Sequence, residues 1–195
     1  AGRMGEERAK GLTEHLQSVG FAIGRLKTGT PPRLNKKSIN WKKTEATDGD
    51  KNPIPFSYKT KRFSPPNEPC HIVYTNTQTH DVIEENKGRS PMYTGDIHGV
   101  GPRYCPSIED KIHRFKERGS HLLFLEPEWA NSDQIYLNGF STSLPEEAQL
   151  EALKKIPAFK NVQLLRPGYA IEYDYFPPSQ LKNTLESKNI KNLFF

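Results

Sequence analysis

The run Gly101-Pro102-Arg103-Tyr104-Cys105-Pro106-Ser107-Ile108-Glu109-Asp110-Lys111 places a thiol two residues before a serine able to cap a helix. Backbone N–H groups at such a start, with Arg103 beside them, favour an anion, so the spacing supports a reactive thiolate at Cys105. The same arrangement suits a phosphate. It equally fits a small buried filler, the common role of a lone cysteine, because closeness in sequence does not fix exposure. A second pattern is basic. Arg25, Lys27 and Arg33 surround Thr28-Gly29-Thr30-Pro31-Pro32, Lys36, Lys37, Lys42 and Lys43 surround Trp41, and Lys59, Lys61 and Arg62 lie between Tyr58 and Phe63. Cations interleaved with aromatics on irregular chain suit an RNA backbone and splayed bases. With 28 Lys and Arg against 23 Asp and Glu, a formal net charge of +5, an ordinary solvated surface accounts for them as well.

Other chemistries find no pattern. Gly99-Val100-Gly101 begins a GxG, but Tyr104 stands where a dinucleotide fingerprint needs its third glycine, and no GKS or GKT occurs. His71, His80, His98, His113 and His121 lack ligand spacing, so no metal site is expected. Glu172 and Asp174 alternate about Tyr173 as on an ordinary strand edge. Two cysteines, Cys70 and Cys105, cannot make a disulfide framework and suit a reducing cytoplasm. No apolar run approaches the ~18 residues of a membrane span, so no membrane role is expected.

The elements that must position these residues read as mixed α and β. Ala9, Leu12, Leu16 and Val19 fall at helical spacing within a helix predicted over 5–19, with Gly20 as its stop. A strand follows over 21–27. Residues 35–69, rich in Lys, Asp and Pro, read as a long irregular stretch. A strand at 71–74, a short helix near 81–86 and a glycine-rich run at 95–101 come next. Ser107 then caps a helix carrying Ile108, Ile112 and Phe115 on one face and ending at Gly119. A strand at 121–125 precedes two strands flanking Asn138-Gly139, a hairpin signal. Ser143 and Glu146 suggest a capping box opening a helix through Ile156. Strands at 162–165 and 169–173 are expected to pair about Pro167-Gly168. A last one is expected at 190–195, cut within the apolar Asn192-Leu193-Phe194-Phe195. With no initiator Met at Ala1, the sequence reads as a piece of a longer protein.

Several motifs in order closely resemble the MnmG (GidA) flavoprotein family over essentially the whole chain. They are Gly24 to Arg33, Thr79-His80-Asp81-Val82-Ile83, Arg89-Ser90-Pro91-Met92-Tyr93, Gly101 to Lys111, Ser141-Thr142-Ser143-Leu144-Pro145 and Arg166 to Asp174. The resemblance implies a fragment, the middle third, of a glutathione-reductase-type FAD/NAD(P)-binding flavoprotein with an inserted α+β domain. Residues 1–30 and 166–195 would be parts of the flavin-binding domain, and 31–165 the nicotinamide- and tRNA-associated insertion. It implies an enzyme that uses FAD, NADH and methylenetetrahydrofolate to build a carboxymethylaminomethyl or aminomethyl group on C5 of the wobble uridine of tRNA. A MnmE-type GTPase partner and a homodimer of the full-length protein come with it. The flavin's glycine-rich turn would lie outside this chain, leaving the fragment alone inactive.

Carried onto these residues, the resemblance makes Cys105 a candidate nucleophile, a general base being the other way to activate the uracil ring. It assigns nicotinamide binding to Gly101, Pro102, Arg103, Tyr104, Cys105, Pro106, Ser107, Ile108, Glu109, Asp110, Lys111, Ile112, His113, Arg114 and Phe115. The residues proposed for tRNA are Arg25, Lys27, Arg33, Lys36, Lys37, Arg103 and Lys111. A related folate-dependent flavoprotein that methylates a tRNA uridine, and a non-catalytic RNA-binding module, are the competing readings. The intact Tyr104 to Lys111 run favours the carboxymethylaminomethyl branch.

Overall fold

A computed structural model describes residues 4–195. Five helices and eight strands alternate irregularly: α1 (Leu12–Ser18), β1 (Gly24–Gly29), β2 (Arg33–Asn35), β3 (Glu45–Thr47), β4 (Cys70–Tyr74), α2 (Thr77–Asn86), α3 (Pro91–Thr94), α4 (Ile108–Arg114), β5 (Leu122–Pro127), β6 (Gln134–Asn138), α5 (Glu146–Lys154), β7 (Leu164–Arg166) and β8 (Ala170–Tyr175). Six strands form an antiparallel sheet in the order β3-β4-β5-β6-β2-β7, and β1 pairs with β8 in a second, two-stranded one. Among the described residues no helix is long and apolar enough to cross a membrane.

Strand alternation decides which face of the large sheet is dry. Directly paired residues share a face, and Val73 opposes Leu123, Leu125 opposes Leu137, and Leu34 meets both Ile135 and Leu164. These side chains form one core with Val82 and Ile83 of α2, Ile108 and Ile112 of α4, and Ala148, Ala152 and Leu153 of α5. The alternate positions, among them Phe124, Tyr136 and Arg33, make the opposite face.

Several expectations are corrected. The first helix is short: Gly11, at φ 94°, sits at its start, and of its apolar residues only Leu16 is buried. The next strand begins at Gly24, because Phe21 turns into an aromatic cluster with Phe176 and Phe195. The long stretch after Asn35 is not wholly irregular, since it holds 3-10 turns at Lys36–Ser38 and Trp41–Lys43 and supplies edge strand β3. Helix α4 stops at Arg114, with Phe115 exposed and already non-helical.

The Asn138-Gly139 hairpin does not form. Gly139 does take a left-handed φ of 98°, but both edges of β6 are already paired, with β5 and β2. The chain after it instead crosses the end of β1, where Thr142 N–H donates to Thr30 O at 3.2 Å. Likewise β7 and β8 do not pair with each other. They belong to different sheets, and Pro167-Gly168 is the crossover between them. No Ser143 capping box exists: Pro145 is the N-cap, α5 ends at Lys154, and the Ser143 hydroxyl lies 2.6 Å from that of buried Ser90. Residues 190–195 form no strand, because Phe195 is drawn into the aromatic cluster and only a single bridge, Glu186 to Phe194, remains.

Candidate active site

Everything around Cys105 is built on β1. Pairing with β8 aligns Thr28 with Ile171, and on the other edge residue 100 adds a parallel bridge to Leu26. Lys27 N–H donates to Val100 O and Val100 N–H to Arg25 O, both at 3.0 Å. This contact needs glycine at 99, since a Cβ there would stand 2.8 Å from the Leu26 carbonyl carbon. The Lys27 ammonium donates to Met92 O at 3.0 Å, tying α3 to the same strand. A turn in which Cys105 N–H reaches Pro102 O at 3.3 Å then delivers the exposed thiol to the Thr28 hydroxyl, Sγ to Oγ1 3.3 Å. A cavity of about 260 Å³ opens here, with Thr28, Gly29, Tyr93, Cys105, Asp110 and Arg114 among its lining.

The helix start behind the thiol differs from the expected anion cradle. Ser107 and Asp110 form a reciprocal capping box, and Ile108 N–H donates to Ser141 O at 2.7 Å, so the first amides of this seven-residue helix are largely engaged. The thiol is served by a threonine hydroxyl instead. Asp110 also accepts from Tyr93, and burial first, then that carboxylate, pushes the Tyr93 phenol well above its ordinary value. Lys111 donates to Gly139 O at 3.1 Å, and burial pulls its ammonium pKa down.

Glu109, 1% exposed, is a functional candidate in the sequence but a structural group in the fold. One carboxyl oxygen accepts from the Thr142 hydroxyl at 2.8 Å and Ser143 N–H at 3.2 Å, while Oε2 is buried without a partner. Burial raises its pKa, so the folded state retains a proton that the unfolded chain releases. Its contribution to stability is therefore full below the ordinary carboxylate pKa and is lost as pH rises through the elevated folded one. Glu109→Gln, which keeps the accepting oxygen and cannot ionise, should match the parent near pH 4 and become more stable than it at pH 8. The gain should be about 1.4 kcal/mol per unit of upward shift. Thermal unfolding at the two pH values checks this, and an equal difference at both would show that Glu109 is not protonated in the fold.

The basic residues separate into two groups. Arg25 pairs with Asp174 at 2.5 Å and Glu172 at 3.4 Å. Arg33 pairs with Glu128 at 3.3 Å and stacks over Tyr136. With Lys27 and Lys111 on backbone carbonyls, and Lys37 beside Asp133, five of the seven expected tRNA cations have intramolecular partners. Lys36 is half-buried, Lys37 is exposed with Asp133 3.2 Å away, and exposed Arg103 lies over the Tyr104 ring. Of the nicotinamide-assigned run, Ser107, Ile108, Glu109 and Ile112 are buried, and Gly101, Arg103, Tyr104, Cys105, His113, Arg114 and Phe115 reach the surface. Thr28 is the residue that motif spacing missed, because the contact joins positions 77 apart. Among the described residues no group of three or more His, Cys, Asp or Glu is placed to hold a metal.

A family model described as glucose inhibited division protein A matches residues 1–195. Among curated relatives, the tRNA uridine 5-carboxymethylaminomethyl modification enzyme MnmG of Cytophaga hutchinsonii is 53% identical over 195 residues, and that of Campylobacter fetus is 52% identical over 194. Each alignment covers 100% of this chain and 31% of the relative, so the chain spans about a third of their length. The solved structure of Aquifex aeolicus GidA in its form I crystal superposes with a TM-score of 0.88 at 46% identity, covering 99% of this chain and 33% of that one.

Proposed function

The chain belongs to the glucose inhibited division protein A family, and from that premise we propose that it is the middle part of a tRNA-modifying enzyme acting on the wobble uridine. The product is a carboxymethylaminomethyl or aminomethyl group at C5. The observation that carries this reading is the exposed Cys105 thiol, 3.3 Å from a hydroxyl at the edge of a cavity. Addition of its thiolate to C6 of uracil makes C5 nucleophilic, so that an electron-poor ring can take up a one-carbon electrophile. Loss of the C5 proton and expulsion of the thiolate then restore the ring. Thr28 stands where it can hold the thiolate before attack and after release.

In this reading FAD and NADH supply the reducing equivalents and methylenetetrahydrofolate the one-carbon unit. The residues here fit only one end of a nicotinamide dinucleotide. The cavity is small, the first amides of α4 are largely engaged, and Arg103 and Arg114 are the cations left to meet phosphate. They do not fit the flavin's phosphates, since Gly99-Val100-Gly101 lies along β1 instead of turning into a helix. Pairing of β1 with β8 supports assigning residues 1–30 and 166–195 to one flavin-binding domain, and the six-stranded sheet supports 31–165 as an insertion. A MnmE-type GTPase partner, a homodimer and a cytoplasmic location complete the proposal.

Two measurements test it. Wobble nucleosides of tRNA from cells lacking the protein should show uridine without its C5 substituent, and an unchanged nucleoside profile overturns the assignment. Binding of tRNA to the full-length protein should weaken steeply with salt, by about 10³-fold or more between 50 and 200 mM if six or more phosphates are met. Changing Lys36, Lys37, Lys42 and Lys43 together to Ala should flatten that slope. An identical slope would move the RNA elsewhere.

A further inference from the structure

A second cavity, of about 290 Å³, lies on the core side of the large sheet, beyond the face that carries Tyr136. Leu125 and Pro127 form part of its apolar lining, Trp41 and His71 are its aromatic members, and Lys36 and Glu68 are its charged ones. Trp41 is fixed: its indole N–H donates to Lys36 O at 3.1 Å, and its ring meets that of His71 with centroids 4.7 Å apart and planes at 69°.

The imidazole is held as well. The Thr44 hydroxyl donates its one proton to Trp41 O at 2.9 Å and lies 2.7 Å from His71 Nδ1. With the hydroxyl proton on Trp41 O, Nδ1 supplies the hydrogen to Thr44 Oγ1 and Nε2 is the acceptor, with no protein partner among the described residues. Burial lowers the His71 pKa and keeps the ring neutral. The chain that forms this side of the cavity, residues 35–44, contains four lysines and no carboxylate. Lys37, Lys42 and Lys43 of this segment are exposed, although Asp133 lies 3.2 Å from the first. Glu68 is held by Asn131 N–H at 3.3 Å.

We propose that this cavity anchors one unpaired base of the bound RNA, a base with a ring N–H, uracil or guanine. The ring would lie against the Trp41 side of the cavity and donate its N–H to His71 Nε2, and the flanking phosphates would meet the lysines. A mostly apolar slot with an imidazole acceptor and lysines along one border, its Glu68 carboxylate engaged by Asn131, fits such a nucleotide, and its size fits one base with its sugar better than a dinucleotide. Cytosine and adenine offer a ring acceptor to Nε2 and are disfavoured. The proposal rests on the reading that the protein binds tRNA.

The test uses full-length protein labelled with 5-fluorotryptophan, the Trp41 resonance being the one lost in Trp41→Phe. Hexauridylate should shift that resonance and bind about tenfold more tightly than hexacytidylate, and His71→Ala should remove the preference. Trp41→Ala should weaken tRNA binding about tenfold at every salt concentration without changing the salt slope, because stacking releases no counterions. Salt-dependent RNA binding with an unmoved Trp41 resonance overturns the anchor and leaves the tRNA reading intact. Equal affinity for the two hexamers overturns the His71 assignment. Absence of any RNA binding defeats the tRNA reading together with this proposal.

Discussion

Replacing Cys105 by serine in the full-length protein is expected to abolish uridine modification, lowering the rate by about 10³-fold or more, while the fold persists. A hydroxyl is nearly isosteric with the thiol but ionises far less readily, so the C6 adduct fails to form. The thiol is exposed, and a substitution at such a site should shift stability by no more than about 0.5 kcal/mol. Nucleoside analysis of tRNA and thermal unfolding read the two effects separately. Iodoacetamide provides a companion measurement. Cys70 is half-buried, and burial, then the Glu126 charge, pushes its thiol up. Cys105 should therefore be alkylated first at pH 7. Peptide mapping that finds Cys70 modified first, or a serine variant of normal activity, would leave Cys105 a structural residue.

Gly168→Ala should cost about 3 kcal/mol. A Cβ there would stand 2.4 Å from Thr30 O and 2.9 Å from the Thr142 methyl. Neither side has room to yield. Gly168 N–H donates to the buried Gln149 Oε1 at 2.7 Å, Gln149 Nε2 donates back to Gly168 O at 2.8 Å, and Tyr169 O accepts from Thr30 N–H at 2.9 Å. This junction joins the two sheets and carries β1, so its loosening should also disturb the Thr28–Cys105 contact. A midpoint lowered by about 6–12 °C is the expected readout. Gly119→Ala, where a Cβ meets nothing within 4 Å, serves as the neutral control. Equal midpoints for the two variants would show that the crossover is not close-packed.

Local chemistry was legible wherever a residue acts on its immediate neighbours. Ser107 caps α4 because its hydroxyl is a short reach from Asp110 N–H, and β4, β5 and β6 follow their alternating apolar residues because one face of the sheet is dry. The motif run around Cys105 likewise marks the candidate site from its residues alone. Partner choice was not legible, because it depends on which edges remain free once the chain has collapsed. Asn138-Gly139 turns as a hairpin would, yet β5 and β2 already occupy β6, and β7 and β8 go to different sheets. The same competition decided the electrostatics. Arg25, Arg33, Lys27 and Lys111 read as free cations along the chain, but folding surrounds them with carboxylates and backbone carbonyls. Only the tertiary structure could bring Thr28 to Cys105 and set a neutral His71 beside Trp41, since both contacts join segments far apart in sequence through strands paired elsewhere.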